Sequence, residues 1–209
     1  MIISFELGNL NYLFISTIYR SGNTEEGYTA ADAAWYKNIY GRAITFAYQN
    51  GTTVITSAGN DAIDFDHSAD LMHLPSGAAH AISISATAPY GWAYDQDTNL
   101  DEFASYTNFG QSEIDFAAPG GDFDWPLDYW YYDMVLSTGN GGWYWGAGKS
   151  MAAPHATGVA ALIIGKNGGS MDPAKVEAAL KASADDLGKP GNDDYYGQGR
   201  VNAFRAVTQ

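Results

Sequence analysis

The chain has 209 residues, the length of one domain at roughly 100–200 residues each, and 46% hydrophobic content excludes wholesale disorder. Ten basic against 24 acidic residues give a formal charge of −14, a surface that repels phosphate backbones and anionic lipid, so nucleic acid and membrane are excluded as partners. Cysteine is absent, which removes disulfides, thiolate nucleophiles and Cys-ligated zinc together, and fits a secreted protein as well as a cytosolic one.

Residues 2–7 read as a buried strand closed by Gly8. This apolar start carries Glu6 and lacks a basic stretch before it, so it is not a secretion signal. A domain that opens directly on a core strand suggests that something upstream is missing. Residues 12–28, punctuated by Gly and Asn, read as loop. Residues 29–48 carry Ala30, Ala33, Ala34, Ile39, Ala43, Ile44 and Ala47 at mostly three- and four-residue steps, a helix that Gly51 ends. Residues 52–56 and 81–86 are short apolar strands. Helix, loop and strand in succession predict a parallel sheet with crossover helices. Residues 89–103 form a long surface excursion, and 114–117 another short strand. A Trp/Tyr/Asp-rich insertion at 122–132 precedes a strand at 134–137. Residues 150–165 form a strongly apolar helix. Asp172-Pro173 caps a helix to about Ala184, and 201–207 form a closing helix. With no linker or repeat, residues 1–209 read as a single domain.

Ser150 opens the apolar helix after a glycine-rich approach (Gly141, Gly142, Gly146, Gly148). Free N–H groups at a helix start favour developing negative charge, so a nucleophile suits this place, as does an ordinary N-cap serine. The strand at 52–56 runs through Ser57, Ala58 and Gly59 into Asn60, an amide at a surface tip or simply a turn residue. Gly148-Lys149-Ser150 imitates the end of a phosphate-binding loop, but Trp143 stands where that loop needs glycine.

Taken in order, these stretches resemble the subtilisin-like serine proteases. AGND at 58–61, ASYTNFG at 104–110 with DFAAPGG at 115–121, GKSMAAPHATGVAALI at 148–163, YGQGRVNAFRAV at 196–207 and IISFELG at 2–8 each resemble a segment of that family. The resemblance implies an α/β fold, a largely parallel sheet flanked by helices on both faces and incomplete at its N-terminal side. It also implies Ser150 as the nucleophile, with the Asn60 amide and the Ser150 N–H as oxyanion donors. Glu6, Leu7 and Gly8 would form the cleft-edge strand that pairs with an extended polypeptide substrate. Ser57, Ala58 and Gly59 would form the opposite wall, and Leu74-Pro75 a cis-proline turn. No organic cofactor or catalytic metal is implied, while the acidic loops at 61–70, 95–102 and 193–194 leave room for a structural calcium ion. Secretion follows from the family alone.

Three departures qualify the resemblance. Lys149 precedes the nucleophile where the family has threonine, a mildly unfavourable first-turn cation. Glu6 stands where the family has serine, and a carboxylate at the cleft edge would favour basic substrate residues. The family orders its triad Asp, His, Ser, yet no Asp-Thr-Gly or His-Gly-Thr-His segment occurs here. Of the four histidines, His155 is expected to pack on its helix, His67 and His73 to sit at the surface, and His80 to be structural. The expected entity is therefore a C-terminal portion of a serine endopeptidase, inactive alone and needing the missing N-terminal segment as its partner. The alternative is a catalytically inactive peptide-binding remnant of the same fold.

Overall fold

A computed structural model of the chain describes residues 2–5, 17–20, 30–68, 71–123 and 128–209. In chain order, β1 (Ile2–Phe5) and β2 (Thr17–Arg20) precede helix α1 (Ala30–Gln49), β3 (Thr53–Ser57), β4 (Leu71–Leu74) and β5 (Ala81–Ala88). Then come β6 (Glu102–Phe103), β7 (Phe116–Pro119), a 3₁₀ turn (Trp130–Asp133), β8 (Val135–Gly139) and β9 (Gly142–Gly146). Three helices finish the chain: α2 (Lys149–Lys166), α3 (Pro173–Ser183) and α4 (Ala203–Thr208).

The parallel pairs β1–β3, β3–β5 and β5–β7 build the main sheet, and β6 adds a short antiparallel edge to the end of β5. A strand covered on both faces should be apolar throughout, and Thr53 to Thr56 of β3 are all buried. Val54 packs with Ile44 of α1, Leu74 and Ala78 on one face. Ile55 packs on the other with Ala152, Ala156 and Ala160 of α2. The sheet is therefore helix-flanked on both faces, as expected. α2 is apolar on nearly every side and lies at the centre, where its alanines let the helix approach the sheet closely.

Asp172 caps α3 by accepting the Ala174 N–H, with Pro173 in the first turn, and Leu74-Pro75 is cis. The structure corrects the loop reading at 12–28, because β2 lies there and pairs antiparallel with β4. It also adds β9, which forms a hairpin with β8 around Asn140-Gly141. Asn-Gly is the strongest short hairpin signal, but the surrounding glycines read as approach loop.

Candidate active site

Ser150 lies in the first turn of α2. The helix is capped by Gly148 at φ 145°, a conformation that an L side chain rarely adopts, and the Gly148 N–H donates to the Gly120 carbonyl at 3.0 Å. The next N–H, that of Lys149, donates to Asn60 Oδ1 at 2.9 Å. That bond occupies the acceptor end of the Asn60 amide. Its Nδ2 donor has no partner among the described residues, and the side chain is exposed. A Cβ on Gly148 would stand 3.6 Å from Asn60 Nδ2 and 3.8 Å from the Ser150 nitrogen, so both donors lie close to the helix start. First-turn N–H groups have no intrahelical acceptor. Half-buried Ser150 therefore opens α2 where a free backbone N–H and the Asn60 amide donor are both within 4 Å of the Gly148 Cβ position, and donors of this kind can hold a negatively charged oxygen.

The Asn60 loop is held from below. Asn108 is fully buried, and its Oδ1 accepts the N–H groups of Asp61 (2.9 Å) and Ile63 (3.0 Å). Its Nδ2 donates to the Ala58 carbonyl at 2.7 Å. One amide therefore grips the chain on both sides of Gly59-Asn60. Gly59, at φ 84°, must be glycine for space as well, since a Cβ there would lie 2.5 Å from both Asn108 Nδ2 and His73 Nε2.

Lys149 belongs to the same bed. Its side chain is wholly buried and runs to the Asn108 carbonyl, which accepts from Nζ at 3.0 Å. Burial depresses its pKa well below the lysine range, against the opposing charges of Glu113 and Asp61. The first-turn cation is thus an internal tie between α2 and the Asn108 turn. His73, expected at the surface, is fully buried, which is a correction. Its Nδ1 lies 2.5 Å from Ser76 Oγ, and that hydroxyl donates to Glu113 Oε1. Burial, with help from the Lys149 charge, lowers the His73 pKa to about 3. Burial raises that of Glu113 to about 7, against the Ser76 bond and Lys149.

The other histidines are also committed. His155 Nδ1 bonds the Met151 carbonyl at 2.7 Å, exposed His67 pairs with Asp64, and exposed His80 stacks on Tyr48 at 4.1 Å. Glu6, Leu7 and Gly8 lie outside the described residues. Ala58 and Gly59 are buried, leaving half-buried Ser57 and exposed Asn60 as the accessible members of that wall. Among the described residues no three His, Asp or Glu side chains gather as a metal site. The acidic loops spend carboxylates on the chain itself: Asp66 accepts from the N–H groups of Gln111 and Ser112 and from the Ser112 hydroxyl. Asp193 accepts from the N–H groups of Lys189, Tyr195 and Tyr196. Of this set, Asn108 falls in the ASYTNFG stretch, whereas the sequence did not mark His73, Ser76 and Glu113 for this place, because the β4 turn and the 108–113 segment meet only in the folded chain.

Comparison with known proteins adds to this geometry. The model of the subtilase family matches residues 6–199. An extracellular protease of Xanthomonas campestris pv. campestris is 33% identical over 96% of this chain and 33% of its own length. Thermitase of Thermoactinomyces vulgaris is 29% identical over 79% of this chain and 48% of its own. The chain thus spans a third to a half of these relatives. The crystal structure of a lanthipeptide protease superposes with TM-score 0.74 at 28% identity, covering 99% of this chain and 60% of that one. An epidermin leader peptide processing serine protease from Staphylococcus aureus, 22% identical, shares the fold at TM-score 0.76 over 99% of this chain and 50% of its own.

Proposed function

Because this chain belongs to the subtilase family, we propose that it carries the nucleophile and oxyanion half of a serine endopeptidase acting on extended polypeptide. The observation that supports this best is the Asn60 amide. Its oxygen is pinned by the Lys149 N–H, so its unpartnered donor stands beside the start of the Ser150 helix. In the reaction, Ser150 Oγ bonds to the scissile carbonyl carbon and gives its proton to a base. The carbonyl oxygen takes the negative charge and accepts from Asn60 Nδ2 and the Ser150 N–H. Collapse expels the amine, which takes up that proton, and water then hydrolyses the acyl-serine.

Among the described residues no histidine bonds to Ser150: the Nδ1 atoms of His73, His155 and His67 bond Ser76, the Met151 carbonyl and Asp64, and His80 stacks on Tyr48. In this reading the aspartate and histidine come from sequence outside these 209 residues, and Ser150 here is an unactivated hydroxyl. A solved relative named as a lanthipeptide protease supports a polypeptide substrate, and one named as an extracellular protease supports action outside the cell. No organic cofactor takes part, and a calcium ion would serve structure only.

Fluorophosphonate labelling tests the reading. The product of the gene's complete reading frame should label at Ser150 and lose labelling in Ser150→Ala, while the 209 residues alone should not label. Asn60→Ala should lower turnover by roughly 10²–10³ with little change in substrate binding. The same four committed histidines favour the second reading, a peptide-binding remnant. A complete product that binds peptide without labelling would establish it.

A further inference from the structure

Charge is segregated along this chain. None of its ten Lys and Arg lies between Ala43 and Gly148, whereas 14 of its 24 Asp and Glu do. Within that cation-free span the surface carries a run of touching aromatic rings. Tyr132 lies at the centre, with ring centroids 6.3 Å from Trp92, 5.7 Å from Trp145 and 6.4 Å from Tyr129. All four rings are exposed, and Trp143 beside them on β9 is 72% exposed. Single exposed aromatics are ordinary, but a contiguous set marks an interaction surface.

The surface is built rather than frayed. The buried Asp133 carboxylate accepts the N–H groups of Gly91 (2.8 Å) and Trp92 (3.0 Å), tying the 90s loop to the 3₁₀ turn. Tyr94 donates its hydroxyl to the Asp128 carbonyl, closing the same junction. Asp95, Asp97 and Asp128 remain exposed around the rings. The surface is also continuous with the candidate site. β9 runs through Gly146 to Gly148 and Ser150, and a Cβ on Gly146 would lie 3.2 Å from Met151 Sδ, the residue after Ser150.

We propose that this aromatic surface binds Lys and Arg side chains of the substrate, making cationic polypeptide segments the substrate class; the proposal rests on the protease reading of Ser150. A cation over an aromatic face gains from the ring quadrupole, most of all on Trp, and the surrounding carboxylates add an attraction that no lysine or arginine of the span cancels. A neutral sugar would use the rings but not the charge segregation.

The test uses the product of the complete reading frame as Ser150→Ala, followed by tryptophan fluorescence and calorimetry. Its probes are an alternating Gly-Lys peptide of about 12 residues, a Gly-Glu peptide of equal length and cellohexaose. The Gly-Lys peptide should bind saturably, and the other two should not. Trp143→Ser should weaken binding by about tenfold, within the range of a cation–π contact. The triple variant Asp95→Asn/Asp97→Asn/Asp128→Asn, which leaves every ring in place, should weaken it by a similar factor. Equal binding of the two peptides, binding of the sugar in their stead, absence of binding, or Gly-Lys binding at full strength in both variants would each overturn the proposal. Its failure is distinct from failure of the protease reading, which Ser150 labelling of the complete product reports.

Discussion

Lys149 at the start of α2 is wholly buried, whereas Trp143, six residues earlier on β9, is 72% exposed. Both placements invert the ordinary partition of charge outside and large apolar groups inside. Beneath Ser150 the chain encloses Lys149, Glu113, His73, Ser76 and Asn108, none more than 9% exposed. Beside it the chain turns Trp, Tyr and Asp outward. The buried bed costs desolvation and gives rigidity, fixing the Asn60 loop against α2. The aromatic face forgoes burial and keeps a surface that a partner can cover. Rigidity under the candidate nucleophile and an open aromatic face next to it are different demands, and one 209-residue chain meets them with opposite violations of one rule.

The sharpest way to break this contrast is Lys149→Met. Removing Lys149 leaves the buried Glu113 without the cation that opposes its desolvation and should cost about 3–5 kcal/mol by denaturant unfolding, and Lys149→Met/Glu113→Leu should recover most of it. A loss under about 1 kcal/mol would show that the bed holds nothing. Asn108→Ala strands the Ala58 carbonyl and the N–H groups of Asp61 and Ile63, and should cost about 2–4 kcal/mol. The same melts should show the Asn60 loop gaining amide exchange before the sheet does.

Asp115 sharpens the electrostatic side. Burial raises its pKa to about 6, against the bond from the Ser83 N–H and helped by Glu177. The folded state therefore holds this proton more tightly than the unfolded chain. The contribution is fully present below about pH 4, declines as pH rises, and is lost above about pH 6. Asp115→Asn should flatten that arm of the stability–pH curve, by up to about 3 kcal/mol across the window. The smallest effect belongs to the aromatic face: Trp143→Ser should leave stability within about 0.5 kcal/mol. A larger drop would make that ring part of the core rather than of a recognition surface.

Much of the fold was legible where local physics dominates. Asp172-Pro173 starts α3 and Gly51 ends α1 because caps and positive φ are properties of a few adjacent residues. β3 and β5 could be read from short runs rich in Val, Ile, Thr and Ala, residues that suit a buried strand. β2 and β4 were not legible, because two four-residue strands derive their identity from pairing with partners 51 to 57 positions away along the chain. His73 shows the same limit within the site: its surroundings, Phe65 at 6.2 Å, Ser76 and Gly59, converge from separate turns.

By itself the order of residues determined the family, the α/β architecture and the candidacy of Ser150 and Asn60, because those depend on short motifs and periodicities that survive without knowledge of distant contacts. Only the tertiary structure decided that Lys149 is an inward tie, that His73 is buried, and that dispersed Trp and Tyr residues assemble into one acidic-rimmed face. Burial and adjacency are properties of the packed chain, and desolvation, which sets the energies of Lys149, His73 and Glu113, is defined only once the rest of the protein has excluded water from around them.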